Sequence, residues 1–193
     1  MNLPQVVGVL RGNDPQRALE LARAAIRGGL MALEVTSTVP DANKIITTLR
    51  LENRDCLIAA GTVLNSTQAA DAIAAGACFL VSPHLGLDVL EVANASNVPY
   101  IPGVLTPTEV IAALAAGCET LKIFPIARAG GEAYLRDLHG PFPQLKVLVT
   151  GGVKLAEVGA YLRAGAVSVG LGDLFTGEPH EVQTRTQTLL EHL

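Results

Sequence analysis

The sequence is poor in charged and aromatic residues, and each shortage excludes a class of protein. Only 17% of the 193 residues are charged and the net charge is -4, so there is no broad basic surface for nucleic acid or anionic lipid. Aromatic residues make up 4% and tryptophan is absent, which leaves little material for base stacking or for aromatic interface anchors. The uncharged stretches are broken by Gly, Pro, Asn or His and do not predict a membrane span.

Cysteine is also scarce, and its pattern indicates a reduced environment. Cys56, Cys78 and Cys118 are odd in number and show no CxxC spacing, which argues against both a disulfide framework and structural zinc. No signal-peptide pattern is visible, so we expect a cytoplasmic protein. With 49% hydrophobic residues, the composition predicts one compact domain over residues 1–193.

Short apolar segments alternate with Ala- and Leu-rich segments of helical spacing along the chain, with Gly or Pro at the joins. The predicted strands are Val6–Leu10, Ala32–Thr36, Leu57–Ala60, Phe79–Ser82, Tyr100–Ile101, Thr120–Ile123, Val147–Thr150 and Ser168–Val169. Eight such units of about 24 residues each predict a compact α/β fold, a (β/α)₈ TIM barrel without a leading N-terminal helix. A doubly wound open sheet is the less favoured alternative, because no GxGxxG follows the first strand.

Strand parity singles out one charged pair. Leu121 and Ile123 share one face of their strand, so Lys122 faces the barrel axis, as Glu34 does on the second strand. Two buried charges are costly to desolvate, so a purely structural ion pair is the weaker interpretation. Burial favours the neutral amine of a lysine, which can then attack a carbonyl and form a Schiff base while a carboxylate moves protons. Of the other three lysines, Lys44 and Lys154 are interpreted as solvated, and Lys146 begins its strand at the opposite mouth of the barrel.

Two glycine-rich joins predict an anion site after the seventh and eighth strands. Thr150-Gly151-Gly152-Val153 and Gly170-Leu171-Gly172 each precede a helix, where barrels commonly bind phosphate through backbone N–H groups. Arg11 ends the first strand and is either a surface residue or a clamp for a carboxylate or phosphate. His84 has no metal-ligand spacing, so no metal site is predicted.

Seven motifs together resemble a known family. They are Leu33-Glu34-Val35-Thr36, Ala60-Gly61-Thr62-Val63-Leu64, Val81-Ser82-Pro83, Ile101-Pro102-Gly103-Val104, Leu121-Lys122-Ile123-Phe124-Pro125, Gly140-Pro141-Phe142 and Thr150-Gly151-Gly152-Val153. Their order over nearly the whole chain resembles the 2-keto-3-deoxy-6-phosphogluconate (KDPG) aldolase family. That family includes the aldolases for 4-hydroxy-2-oxoglutarate (KHG) and 2-keto-3-deoxy-6-phosphogalactonate.

The resemblance implies a class I pyruvate aldolase, commonly a homotrimer, that uses no metal or cofactor and forms a covalent lysine–pyruvate Schiff base. Lys122 matches the Schiff-base lysine and Glu34 the general acid/base of the family. The remaining matches imply a pyruvate pocket lined by Thr62, Pro83 and Phe124 and a phosphate loop at Gly151 and Gly152. We expect the partners to be a small keto acid and copies of this chain, with no nucleic acid and no membrane.

The sequence departs from the family pattern at positions that bear on the substrate. Gluconate-type members carry an Arg where this chain reads Thr36-Ser37-Thr38, and we expect Arg11 to take over anion binding. The family's eighth loop usually ends in Ser, whereas this chain has Asp173. Asp173 either replaces the serine and repels phosphate, or caps the following helix and leaves a phosphate site intact.

Two other functions stay open on sequence grounds. Another phosphate-binding barrel, such as an epimerase or a thiamine-phosphate-synthase-like enzyme, would share the loop glycines but would not need a lysine inside a strand. A non-catalytic barrel that binds a small anion would need neither Lys122 nor Glu34.

Overall fold

The computed structural model describes residues 2–193, in which parallel strands form a nearly closed barrel inside a layer of helices. The strands are β1 (Val6–Leu10), β2 (Ala32–Thr36), β3 (Leu57–Gly61), β4 (Leu80–Val81), β5 (Tyr100–Ile101), β6 (Gly103–Val104), β7 (Thr120–Ile123), β8 (Lys146–Val149) and β9 (Ser168–Leu171). The α-helices are α1 (Pro15–Arg27), α2 (Ala42–Glu52), α3 (Ser66–Ala74), α4 (Leu87–Ala95), α5 (Pro107–Ala115), α6 (Gly131–His139), α7 (Val158–Arg163) and α8 (Pro179–Glu191). The predicted (β/α)₈ barrel is confirmed, and β1 is the first regular element in residues 2–193.

The fifth strand position differs from the prediction because it is divided in two. β5 pairs with β4 and β6 pairs with β7, so the segment around Pro102 joins the two ends of the sheet. Proline has no backbone N–H and interrupts the ladder, but the carbonyl of Pro102 accepts a hydrogen bond from Lys122 N at 2.8 Å. The predicted strand Tyr100–Ile101 is therefore only the first half, and Gly103 stands beside Lys122 in the register.

Several helices begin at residues whose side chains satisfy free backbone N–H groups. Asp14 accepts hydrogen bonds from the backbone N–H groups of residues 16 and 17 at the start of α1. Thr106 and Glu109 form a reciprocal capping box at the start of α5. Asn65 caps α3, since its side-chain oxygen accepts a hydrogen bond from the backbone N–H of Gln68 at 2.9 Å. None of the helices in residues 2–193 is long and apolar enough to cross a bilayer.

Alternation along the strands produces two separate apolar clusters. Outward side chains such as Leu33, Val35, Leu121 and Ile123 pack with the helices in the larger cluster. The smaller cluster fills the barrel interior towards the amino-terminal ends of the strands and consists of Val7, Ala32, Ala59, Phe79, Val81, Ile101 and Leu148. Above it, towards the carboxyl-terminal ends, the buried interior residues include Glu34, Lys122 and Thr150.

Candidate functional site

Lys122 and Glu34 meet inside the carboxyl-terminal half of the barrel, as strand parity predicts. Lys122 lies on β7 and is 2% exposed, whereas Glu34 lies on β2 and is fully buried. The Lys122 Nζ atom is 3.5 Å from Glu34 Oε1. The barrel thus brings an amine and a carboxylate from non-adjacent strands into one dry site.

The Glu34 carboxylate has few partners for a buried charge. Within residues 2–193, neither of its oxygen atoms accepts a hydrogen bond, and the contact with Lys122 is long for one. A buried carboxylate normally has several such partners, because losing its hydration costs several kcal/mol by order of magnitude. The carboxylate oxygens are therefore free to accept a proton or hydrogen bond from a bound molecule.

Gly61 makes room for the Glu34 side chain, and this role was missed by the sequence analysis. A Cβ atom at Gly61, the last residue of β3, would lie 2.1 Å from Glu34 Oε1 and 2.3 Å from its Cγ. Residue 61 pairs with Thr36 in the β2–β3 register. The Gly-Thr-Val motif carried the resemblance, but only the structure explains why the first position has to lack a side chain.

Hydroxyl hydrogen bonds connect the carboxyl-terminal ends of β1, β2 and β3. Thr36 Oγ1 donates to the Leu10 carbonyl at 2.9 Å, and Ser37 Oγ donates to the Thr62 carbonyl at 2.8 Å. Thr62 has φ of 57°, a left-handed conformation that costs a β-branched residue about 1–2 kcal/mol. The stretch Thr36-Ser37-Thr38 thus consists of short hydroxyl side chains that fix the neighbouring backbone.

Two cavities share Phe124 as a lining residue, and within residues 2–193 neither is lined by Lys122 or Glu34. The Phe124 ring centroid is 5.4 Å from Lys122 Nζ, within the range of a cation–π contact. The first cavity, of about 300 Å³, is lined by Phe124, Pro83, His84, Gly103 and Leu105, among others. Within residues 2–193, Thr62 lines neither cavity.

The second cavity, of about 150 Å³, brings together most of the predicted anion-binding residues. Its lining is Val9, Arg11, Phe124, Thr150, Gly151, Gly152, Val153, Gly170, Gly172 and Asp173. Arg11 is exposed and forms no salt bridge with the part of the chain that the structure describes. Its guanidinium is therefore available to an anion at this cavity.

The backbone of the two glycine-rich loops also suits an anion. Gly151 has φ of +95°, and a Cβ there would lie 2.8 Å from both the Phe124 ring and Pro125 Cα, so both conformation and packing require glycine. Among residues 2–193, no backbone or side-chain oxygen accepts a hydrogen bond from the N–H groups of Gly151, Gly152 and Gly172. Free N–H groups in two facing loops form a concave site for a negatively charged group.

Asp173 does not cap the helical segment that follows it, so the capping interpretation was wrong, whereas the effect of its charge on a phosphate stays a prediction. Gly172 occupies the cap position of the 3₁₀ turn Asp173–Phe175, and Asp173 Oδ2 instead lies 2.8 Å from Lys154 Nζ. This hydrogen bond and the negative charge of Asp173 raise the pKa of Lys154. The interpretation of Lys154 as simply solvated was therefore incomplete, since the lysine is 64% exposed but paired.

A more voluminous cavity lies elsewhere and is not lined by the buried charges. It has a volume of about 410 Å³ and lies on the helix side of β2 and β3, between α2 and α3. Its floor is formed by Val35, Ile46 and Ala60. Chemistry rather than volume identifies the functional site, because a buried amine beside an unpartnered carboxylate is the costlier feature.

No three His, Cys, Asp or Glu side chains of residues 2–193 converge as a group that could hold a metal ion. His84 is exposed, and its backbone carbonyl accepts a hydrogen bond from the Tyr100 hydroxyl at 3.1 Å.

An eight-unit barrel with reactive side chains at the carboxyl-terminal ends of its strands defines an enzyme of the TIM-barrel class. Residues 1–186 match the family model described as KDPG and KHG aldolase. The chain is 36% identical to the 2-dehydro-3-deoxy-phosphogluconate aldolase of Pseudoalteromonas atlantica over 81% of its length and 73% of that protein. It is 35% identical to the KHG/KDPG aldolase of Escherichia coli K12, over 84% of this chain and 76% of that one.

A solved structure gives the same result. The KDPG aldolase of Legionella pneumophila, with pyruvate captured as a covalent carbinolamine, superimposes with a TM-score of 0.90 at 33% identity, covering 97% of this chain and 95% of that chain. The chain belongs to the KDPG and KHG aldolase family, whose members are class I pyruvate aldolases, carbon–carbon lyases that act through a lysine Schiff base. Family membership decides against an epimerase-like barrel and against a non-catalytic one.

Proposed function

We propose that the protein cleaves a 2-keto-4-hydroxy acid to pyruvate and an aldehyde, with Lys122 as the Schiff-base nucleophile and Glu34 as the general acid/base. The substrates that the family resemblance suggests are 2-keto-3-deoxy-6-phosphogluconate, its galactonate analogue and 4-hydroxy-2-oxoglutarate. The aldehyde product is then glyceraldehyde 3-phosphate or glyoxylate. The observation that carries the proposal is the buried Lys122–Glu34 pair, 3.5 Å apart, at the carboxyl-terminal mouth of the barrel.

The reaction begins when the Lys122 amine attacks the C2 carbonyl of the keto acid. The carbinolamine loses water to form an iminium, and Glu34 supplies and removes the protons, since its oxygens have no other partner in residues 2–193. Glu34 then takes the C4 hydroxyl proton through a water molecule. The electrons of the C3–C4 bond move into the iminium, the aldehyde leaves, and the enamine is protonated at C3. Hydrolysis by water releases pyruvate and regenerates the amine.

The surrounding residues hold the two ends of the substrate. Pro83, Phe124 and Thr62 are proposed to surround the pyruvate portion, with Phe124 beside the Lys122 Nζ atom. Arg11, Thr150 and the loop glycines 151, 152, 170 and 172 are proposed to bind the distal end in the cavity of about 150 Å³. The lysine iminium itself accepts the electron pair, so the proposed reaction needs no metal and no external cofactor.

We also propose that residues 1–193 act as one cytoplasmic domain that assembles as a homotrimer. Exposed apolar side chains on successive segments support an assembly surface, since Leu64 is 46%, Leu87 62% and Ile111 54% exposed. Light scattering coupled to gel filtration checks the assembly, and a monomeric mass would contradict it.

Borohydride trapping tests the function directly. Incubation with pyruvate and sodium borohydride is expected to reduce the iminium to a stable secondary amine, which increases the protein mass by one reduced pyruvate. Peptide mapping is expected to place the adduct on Lys122. No adduct at saturating pyruvate would overturn the Schiff-base mechanism.

Lys146 provides a matched control for the trapping experiment. It is the exposed first residue of β8, at the opposite end of the barrel. Lys122→Met is expected to abolish the adduct, whereas Lys146→Met is expected to keep it. An adduct that survives Lys122→Met would move the nucleophile to another amine.

A further inference from the structure

The ion pair between Lys154 and Asp173 connects the two glycine-rich loops at the edge of the smaller cavity. Lys154 follows Gly151 and Gly152 after β8, and Asp173 follows Gly172 after β9. Their side chains are 64% and 43% exposed and meet at 2.8 Å. An exposed pair of this kind contributes little to stability, so its effect on the cavity is the more informative property.

The pair is arranged asymmetrically with respect to the cavity. Asp173 lines it, whereas Lys154 is not among the residues of the described chain, 2–193, that do so. Within the same residues, the second oxygen of the Asp173 carboxylate has no hydrogen-bond donor. The cavity therefore meets the negatively charged member of the pair.

Few charged side chains line the smaller cavity, where the distal end of a substrate is proposed to bind. Arg11 supplies one positive charge and Asp173 one negative charge, while Lys154 partly offsets Asp173 and is itself influenced by Glu157. One guanidinium and the free loop N–H groups suit a single negative charge. A second negative charge would add repulsion from Asp173 without gaining another cation.

We propose that Asp173, positioned by Lys154, is a specificity-determining residue that disfavours a phosphate dianion and favours a substrate whose distal group is a carboxylate. This inference rests on the proposed aldolase function and names its substrate class, a short dicarboxylic 2-keto-4-hydroxy acid such as 4-hydroxy-2-oxoglutarate. Arg11 pairs with the distal carboxylate in a bidentate fashion.

The experiment compares kcat/KM for 2-keto-3-deoxy-6-phosphogluconate and for 4-hydroxy-2-oxoglutarate at pH 8, expressed as the ratio of the phosphorylated to the unphosphorylated substrate. The wild-type ratio is expected to lie below one. Asp173→Asn, which removes the charge but keeps the shape, is expected to raise the ratio by about tenfold or more. Asp173→Ser is the second variant and is expected to change the ratio in the same direction.

Two further variants separate a local effect from a general change in charge. Lys154→Met leaves Asp173 unpaired and is expected to lower the ratio, opposite in sign to Asp173→Asn. Asp137 is an exposed aspartate on α6 without an ion pair in residues 2–193, so Asp137→Ser is the matched control and is expected to leave the ratio unchanged.

The pH dependence of the kcat/KM ratio is a second readout, because a purely structural role of Asp173 would not change it. A phosphate monoester loses its second proton with a pKa of about 6, so the wild-type ratio is expected to fall between pH 5.5 and pH 8. Asp173→Asn is expected to flatten that fall.

Two results would overturn the role of Asp173: a wild-type ratio above one that Asp173→Asn lowers, or a ratio that neither Asp173 variant changes. Failure of the aldolase function itself is distinguishable, because it would remove cleavage of both substrates together with the borohydride adduct.

Discussion

The two ends of the barrel interior are built on opposite principles. At the amino-terminal end, Phe79, Ile101 and Leu148 pack in a cluster of apolar side chains that excludes water. At the carboxyl-terminal end, Lys122 and Glu34 are almost as deeply buried but carry charges, and the Glu34 oxygens have no hydrogen-bond donor in residues 2–193.

Polar groups at the two ends also differ in how they are satisfied. Ser168, the first residue of β9, is fully buried, and its hydroxyl donates to the Pro4 carbonyl at 2.7 Å. Glu34 is equally buried, yet its nearest charged partner is 3.5 Å away. The amino-terminal end therefore stabilises the barrel. The carboxyl-terminal end keeps two buried charges that cost stability but can interact with a ligand.

The largest effect is expected from Lys122→Arg, which keeps the positive charge beside Glu34 but removes the nucleophile. A guanidinium does not deprotonate in proteins and forms no Schiff base with pyruvate. We expect kcat/KM for aldol cleavage to fall at least about 10⁴-fold, equivalent to roughly 5.5 kcal/mol, while stability falls by only about 1–3 kcal/mol because the larger group has to fit.

A coupled assay for pyruvate release measures kcat/KM, and urea unfolding measures the free energy of unfolding. Retained activity in Lys122→Arg would mean that Lys122 is not the nucleophile and that its ion pair with Glu34 has only a structural role.

Phe79→Ala tests the other end of the barrel. The Phe79 ring is fully buried within the interior cluster, so its removal leaves a cavity and is expected to cost about 3–5 kcal/mol of unfolding free energy. Chemical denaturation followed by circular dichroism measures this cost. At temperatures where the variant stays folded, kcat is expected to remain within a few fold of the wild type. A much larger fall in kcat than in stability would contradict the separation of the two ends.

Gly61→Ala is expected to damage the charged end without removing a charge. The new methyl group would occupy the position of the Glu34 carboxylate, from which a Cβ lies 2.1 Å. Displacing a general acid/base typically costs 10²–10⁴-fold, and we expect about a hundredfold loss of kcat in a steady-state assay. Gly12→Ala is the control, since nothing lies within 4 Å of a Cβ there. Equal activity of the two variants would show that Glu34 can be moved without consequence.

The same residues show how much of this arrangement can be predicted from the sequence. Alternation along β2 and β7 was enough to place Glu34 and Lys122 on the axis, because a strand has a period of two and its apolar face is unambiguous. Arg11 and the glycine loops were also predicted to lie together, since they follow the strands directly, and they line one cavity.

Gly61 and the Lys154–Asp173 pair were not predicted in these roles. Both depend on side-chain distances between successive strands, β2 and β3 in one case and β8 and β9 in the other, and local patterns do not encode such distances. The division of the fifth strand at Pro102 was missed for a similar reason, because each half finds its partner on a different side of the barrel.

The smallest change in the free energy of unfolding is expected when both charged residues at the carboxyl-terminal end are replaced by apolar ones. Lys122→Met alone leaves Glu34 buried without its cation and is expected to cost about 3–5 kcal/mol. Adding Glu34→Leu removes the second charge at similar volume, and the double variant is expected to be at least as stable as the wild type, since apolar replacement of buried ion pairs is often neutral or stabilising. Urea unfolding of the two single variants and the double variant measures the coupling. If the double variant were less stable than the wild type, the pair would stabilise the barrel in its own right. A stable but inactive double variant would instead show that the carboxyl-terminal end keeps its charges for catalysis.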